Sequence, residues 1–236
     1  MNSMFEILME LPLFRGATRE RMAETVGMAK FHFLKYLPGE TVVEAGSPCT
    51  HIKFIISGSV RSKIVNPDSR FKVSQTLVAP DVISADYLFG RATDYPCTVT
   101  AIEPTGILQI AKNDYIKILK SDEVFMFNYL NLLSMNAQKS VSGVLALTTG
   151  SIEERIAFWI VALTQPSGRD ISLECRQRDL YSFFGVQRGS FIATLDNMKK
   201  LGLLTYGPSK IDIISRRSLI DLLEARLNDS VVCDDE

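Results

Sequence analysis

The segment richest in recognition chemistry is RDLYSFFGVQRGSFIATLDNMKKLGLL, residues 178–204. Gly185 interrupts its apolar run, and Gln187 and Arg188 follow directly. Two short helices meeting at a tight turn account for this pattern. Glycine takes φ > 0 at little cost, and Val186 plugs the corner. Leu180, Phe184, Phe191, Leu195 and Met198 then fall toward a shared core. Gln187, Arg188, Gly189, Ser190, Ala193 and Asn197 fall on or near the opposite face. Arginine can give guanine O6 and N7 two parallel hydrogen bonds, and the free amides at a helix start suit a phosphate. The following KKLGLLTYGPSKIDIIS predicts a helix stop at Gly202 and a two-stranded hairpin turning at 207–210. The candidate DNA-contacting residues are therefore Arg178, Gln187, Arg188, Gly189, Ser190, Ala193, Asn197, Ser209 and Lys210.

Other chemistries find little support. The chain has two histidines, His32 and His51, and four cysteines placed singly, with no C-x-x-C pair. Neither a zinc knuckle nor an iron–sulfur cage follows from that spacing, so no metal site is predicted. No nucleophile–base pair can be argued, and the chain is not expected to be an enzyme. A cupin-type enzyme would need a His and carboxylate cluster that the strands do not offer. Hydrophobic residues make up 46% and charged residues 22%, with a net charge of −1. That composition excludes a disordered chain and a general polycation. No stretch approaches the ~18–20 apolar residues of a membrane span, and the amino-terminal MFEILMELPLF is broken by Glu6 and Glu10. A cytoplasmic protein with reduced thiols and no membrane partner is the expectation.

The elements that would hold the reading segment are legible from their periods. Residues 29–111 alternate short β-branched runs with turn signals, as in an antiparallel roll. A short helix to about Ser121 follows, then a helix of about 26 residues over Asp122–Leu147. That helix has two apolar faces: Met126, Leu130, Leu133, Ala137, Val141, Val144 and Leu147 on one, Phe125, Tyr129 and Leu132 on the other. One face packs on its own sheet and one on a second copy, with Met126, Tyr129, Leu133, Asn136, Ala137 and Val144 as dimer-helix residues; the alternative is a helix crossing the core of one domain. Ser151 with Glu154 three residues on is a capping box, which places a boundary at 149–151. The predicted organisation is a sensor domain over 1–121, a dimerisation helix over 122–148, a reading domain over 149–227 and an acidic tail over 228–236.

The order of these parts resembles the Crp/Fnr family of bacterial transcription regulators. LPGETVVEAGSPCTHIKFIISGSVRSKI resembles the family's cyclic-nucleotide-binding-type β-roll. SIEERIAFWIVALT, the glycine-centred corner and LGLLTYGPSKIDII resemble its winged helix-turn-helix. The resemblance implies an α+β fold and a homodimer on a roughly palindromic duplex, with RNA polymerase as a further partner and an activator role.

Departures from the family pattern shape the effector expectation. Ser84-Ala85 stands where cyclic-AMP-binding members have Gly-Glu, and Tyr95-Pro96 where they have Arg-Ser. A buried phosphate without a cation is costly, so neither cyclic AMP nor cyclic GMP is expected. The iron–sulfur cysteine cluster of oxygen-sensing members is also missing. Ile83, Ala85, Tyr87, Leu88, Phe89, Tyr95, Cys97 and Thr98 predict a more apolar pocket for an unidentified small molecule, or one filled by its own side chains. A similarity to nitrosative-stress regulators of anaerobes keeps haem open, with His32, His51 or Cys97 as the available ligands. In the reading unit Tyr181 replaces a usually small residue, accommodated in part by the smaller Thr194; the alternative is a displaced first helix and weak DNA affinity. Gly189 and Ala193 replace usual base-reading side chains. A haem, small-molecule or redox sensor acting mainly through protein contacts is the alternative function.

Overall fold

The computed structural model describes residues 4–232, with side chains described outside 4–5, 139, 142–149 and 225–232. The chain divides into two compact units, Met1–Ile64 with Leu77–Ala137, and Val65–Thr76 with Gln138–Glu236.

The first unit is the antiparallel roll. Helix α1 (Met4–Glu10) leads to α2 (Arg19–Met28), which opens on Thr18, whose Oγ1 accepts from the Arg21 amide at 3.3 Å. The strands are β1 (Phe31–Tyr36), β2 (Thr41–Val43), β3 (His51–Ser57), β4 (Ser59–Val65), β5 (Lys72–Val78), β6 (Asp81–Ile83), β7 (Thr98–Ala101) and β8 (Thr105–Ala111). One sheet runs β1-β8-β3-β6, and β7 pairs with both β2 and β4. The SG step at 57–58 is the β3–β4 turn. Gly58 has φ +78°, and a Cβ there would lie 2.6 Å from the Pro104 carbonyl oxygen. Leu8, Leu11, Phe14, Ile52, Phe54, Ile107 and Ile110 build the core. Leu8, Leu11, Leu13 and Phe14 of the apolar amino-terminal stretch are thus core material.

Helix α3 (Lys112–Ser121) and the 27-residue α4 (Glu123–Thr149) follow. The two faces of α4 separate as the periodicity predicts. Phe125 and Tyr129 are buried in the roll's core, while Met126, Leu130 and Val141 are exposed. Tyr129 therefore corrects one expectation: it belongs to its own core, and its hydroxyl donates to the Ala85 carbonyl at 2.9 Å. Leu133 is a second correction, since it is half-buried and packs against the roll's core; Asn136 is half-buried, Ala137 is exposed, and the side chain of Val144 lies outside the described residues.

The second unit is discontinuous in sequence. It contains α5 (Ile152–Leu163), β9 (Arg169–Glu174), α6 (Gln177–Phe183), α7 (Arg188–Lys200), β10 (Leu204–Tyr206), β11 (Lys210–Ile213) and α8 (Arg216–Val232). It also takes residues 65–76 from the middle of the roll's sequence. There β5 pairs antiparallel with β9, and β9 pairs with β11. Gln75 is buried, and its Oε1 accepts from the Gln165 amide at 2.8 Å. The division inside α4, between 137 and 138, lies before the boundary at 149–151 that the capping box marks. Ser151 Oγ caps α5 by accepting from the Glu154 amide at 3.3 Å, and donates to Glu154 Oε1 at 3.1 Å. The carboxylate thus steadies the capping hydroxyl. Helix α8 reaches Val232, so residues 228–232 of the expected tail are helical; 233–236 lie outside the described residues.

Candidate functional site

The α6–α7 corner shows why a glycine stands at 185. The Val186 amide donates to the Tyr181 carbonyl at 3.0 Å and the Gly185 amide to that of Ser182 at 3.2 Å. This double bond pattern is the Schellman helix stop, which needs its αL residue at Gly185, φ +64°. Gly202 closes α7 in the same way, with Leu203 donating to Met198 and Gly202 to Lys199, each at 3.0 Å. Arg155 of α5 donates to the Phe184 carbonyl, and its guanidinium lies 5.7 Å from the Phe184 ring centroid. Nothing in the residue pattern announces this brace on the corner, since an arginine on an amphipathic helix reads as solvated.

Leu180, Phe184, Phe191, Leu195 and Met198 are all buried, which fixes the rotation of α7. Gln187, Arg188, Gly189, Ser190, Ala193 and Asn197 are consequently exposed together. Tyr181 is half-buried, with its ring 6.5 Å from that of Phe191, and Thr194 is buried. Arg178, Ser209 and Lys210 are exposed as well. The hairpin turn is tied to the start of α6: Gln177 Nε2 donates to the Gly207 carbonyl at 3.1 Å, and the Cys175 amide to that of Ser209 at 3.0 Å. Tyr206 donates its hydroxyl to Asp196 Oδ1 at 2.6 Å, joining the hairpin to α7; this bond pushes the phenol's pKa up.

Beside α6 lies a cleft of about 550 Å³, lined among others by Arg70, Lys72, Glu174, Arg176, Asp179 and Lys210. Arg176 Nε meets Asp179 Oδ2 at 2.8 Å, and Lys210 Nζ meets Asp212 Oδ1 at 2.7 Å. Arg70 pairs with Asp68 and holds that carboxyl below its ordinary range. Burial, helped by Asp179, pushes the Cys175 thiol up to about 12.

In the roll, the predicted pocket residues are largely core. Ile83, Ala85, Leu88, Tyr95 and Cys97 are buried, while Tyr87, Phe89 and Thr98 are half-buried. Tyr95 donates to the His51 carbonyl at 3.2 Å, Ser84 Oγ lies 3.6 Å from Cys97 Sγ, and Thr98 Oγ1 accepts from the Ala45 amide at 3.2 Å. Burial first, and then the neighbouring Cys49, push the Tyr95 hydroxyl's pKa up. Phe89 packs edge-on against Tyr129 at 5.7 Å, with Lys112 Nζ 4.8 Å from its ring centroid. Tyr115 is buried beside Tyr129 and its hydroxyl has no hydrogen-bond partner among the described residues. Arg91 is exposed, as is His32; the half-buried His51 ring shares a 2.9 Å bond with Thr50 Oγ1. Among the described residues, no three His, Cys, Asp or Glu side chains gather to hold a metal ion, and no helix is long and apolar enough to cross a membrane.

Residues 33–122 match the family model of the cyclic nucleotide-binding domain. Potassium channel GORK of Arabidopsis thaliana is 27% identical over 111 residues, 47% of this chain and 13% of the channel. Potassium channel SKOR of the same plant is 28% identical over 130 residues, so the chain spans only a small part of either channel. Among solved structures, the Thermus thermophilus catabolite activator protein superposes with a TM-score of 0.53 at 17% identity, covering 89% of this chain and 97% of that one. The sensor domain of the transcriptional regulator DNR from Pseudomonas aeruginosa gives 0.50 at 18% identity, covering 58% and 90%. At these identities the likeness is one of fold. Residues 33–122 have the cyclic nucleotide-binding fold, an antiparallel jelly roll that is followed, as in the catabolite activator protein, by a helical carboxy-terminal region.

Proposed function

We propose that the chain is a dimeric, sequence-specific DNA-binding transcription regulator of the Crp/Fnr type. The observation that carries this reading is the exposed set Gln187, Arg188, Gly189, Ser190, Ala193 and Asn197 at the start and along one face of α7, behind a glycine-stopped corner that buries Leu180, Phe184, Phe191, Leu195 and Met198 on the other. In this reading α7 enters the major groove, α6 crosses the backbone and the β10–β11 hairpin is the wing. Gln187, Arg188 and Asn197 are its long polar side chains; Gly189 and Ala193 offer the bases little. Part of the discrimination then falls to the deformability of the duplex.

The exposed stripe Met126–Leu130–Ala137–Val141 supports a parallel pairing of two α4 helices. An effector acts by favouring one of two dimer arrangements, and the Tyr129 hydroxyl on the Ala85 carbonyl links the pocket segment to α4. Ala85 and Tyr95 are apolar or aromatic and buried where a cyclic nucleotide would need a carboxylate and a cation. These residues do not fit that ligand, so a cyclic nucleotide is not the effector in this reading.

Selection from random duplexes, then a gel shift with wild type and Arg188→Ala, tests the reading. A recovered pseudo-palindrome that Arg188→Ala no longer retains supports it. A wild-type protein that retains no duplex at low ionic strength refutes it.

A further inference from the structure

The strand exchange within the second unit places basic side chains from the roll's sequence beside the reading elements. Register sets Lys72 opposite Glu174 on β9, and Glu174 opposite Lys210 on β11. One acid therefore stands between two lysines in a rank across three strands. Glu174 Oε2 reaches Lys72 Nζ at only 3.9 Å, while Lys210 turns to Asp212. The loop before Lys72 is held against α6 by an aromatic cluster: the Phe71 ring lies 5.6 Å from Trp159 and 5.7 Å from Phe183. Arg70, the residue before this anchor, is exposed, as are Arg176 at the head of α6 and Lys210 in the wing. All four cations line the same cleft.

We infer that Arg70 and Lys72, with Arg176 and Lys210, hold the phosphate backbone of the duplex flanking the sequence that α7 reads. The inference rests on the proposed function and extends its footprint outward from the groove. The first helix of such a unit crosses the phosphate backbone, and that helix forms one wall of this cleft. Arg176 meets the half-buried Asp179, but the pairs of Arg70, Lys72 and Lys210 are surface pairs, each worth about 0–1 kcal/mol. A phosphate displaces them readily, because each backbone contact also releases condensed counterions. Such contacts add affinity and set register without reading bases.

The test uses the full chain and the duplex selected above, in lengths of about 20 and about 40 base pairs around one centre. Anisotropy titrations between about 50 and 200 mM salt give the slope of log K against log salt. For Arg70→Gln with Lys72→Gln, which removes four contacts from the dimer, the slope on the long duplex falls by about 0.9 per lost contact, so the variant's affinity disadvantage changes about a hundredfold across that salt range. On the short duplex the variant matches wild type. The charge-conserving pair Arg70→Lys with Lys72→Arg keeps the wild-type slope, which separates lost charge from a disturbed fold. An unchanged slope on the long duplex, an equal loss on both lengths, or failure of the charge-conserving pair overturns the inference while leaving the regulator reading intact. A wild-type chain that binds neither duplex overturns both.

Discussion

Leu130→Asp isolates the proposed α4 seam. Leu130 is 48% exposed, and Met126 at 43% and Val141 at 61% stand on the same stripe. Burying a whole leucine side chain is worth about 1.5–3 kcal/mol. Covering the half of Leu130 that remains bare therefore contributes about 1 kcal/mol per protomer, or about 2 in the dimer. The aspartate removes that cover and adds an unpaired carboxylate on each side of an apolar seam, at a further cost of several kcal/mol. A total of at least ~5 kcal/mol raises the dimer Kd more than a thousandfold. Sedimentation equilibrium at micromolar concentration should show a folded monomer, because the wild-type side chain already faces solvent. Met135→Asp is the control. Met135 is 62% exposed but stands about 140° round the helix from Leu130, at roughly 100° per residue. If both variants sediment as wild type, or both dissociate alike, the stripe is not the seam.

Two further predictions follow from burial and backbone geometry. In a Cys233→Ser background, the buried Cys49, Cys97 and Cys175 should resist alkylation in the native protein near pH 8 and react on unfolding. Burial raises the Cys49 and Cys175 thiols, Cys175 to about 12, so their protection should persist until the pH approaches the folded value; rapid native labelling of Cys175 would contradict this. Alanine at Gly185 meets open space and pays only for αL backbone, about 1–2 kcal/mol. Alanine at Gly58 pays that cost and also meets the Pro104 carbonyl at 2.6 Å, adding about 1–3 kcal/mol of overpacking. Thermal melts should rank Gly58→Ala clearly below Gly185→Ala.

The elements closed by local signals were legible in the sequence. Gly185, the capping box at Ser151 and the two faces of α4 each rest on residues within a few positions of one another. The exposed surface of α7 followed from its buried period, as did the hairpin from the GPSK turn. What the sequence hid was the choice of partner. β9 holds only Ile171, Ser172 and Leu173 as buried residues behind two charged ones, too short a run to announce a strand. RFKVSQTLV reads as a strand whatever pairs with it, and its mate lies about a hundred residues away. The signals present were polar: Ser74, Gln75 and Thr76 are buried where an ordinary half-solvated strand would alternate. The apolar character of the expected pocket segment is plain in its residue types, but no periodicity says that Tyr95 and Cys97 turn into the core.

The discontinuous make-up of the second unit bears on any attempt to dissect the protein. A fragment starting at Gly150 would lack Phe71, Val73 and Gln75. Trp159 would lose an aromatic neighbour, the Gln165 amide its acceptor, and β9 would be left as a raw edge open to other chains. Such a fragment should clump on expression, whereas supplying residues 65–76 in trans as a synthetic peptide should restore its solubility.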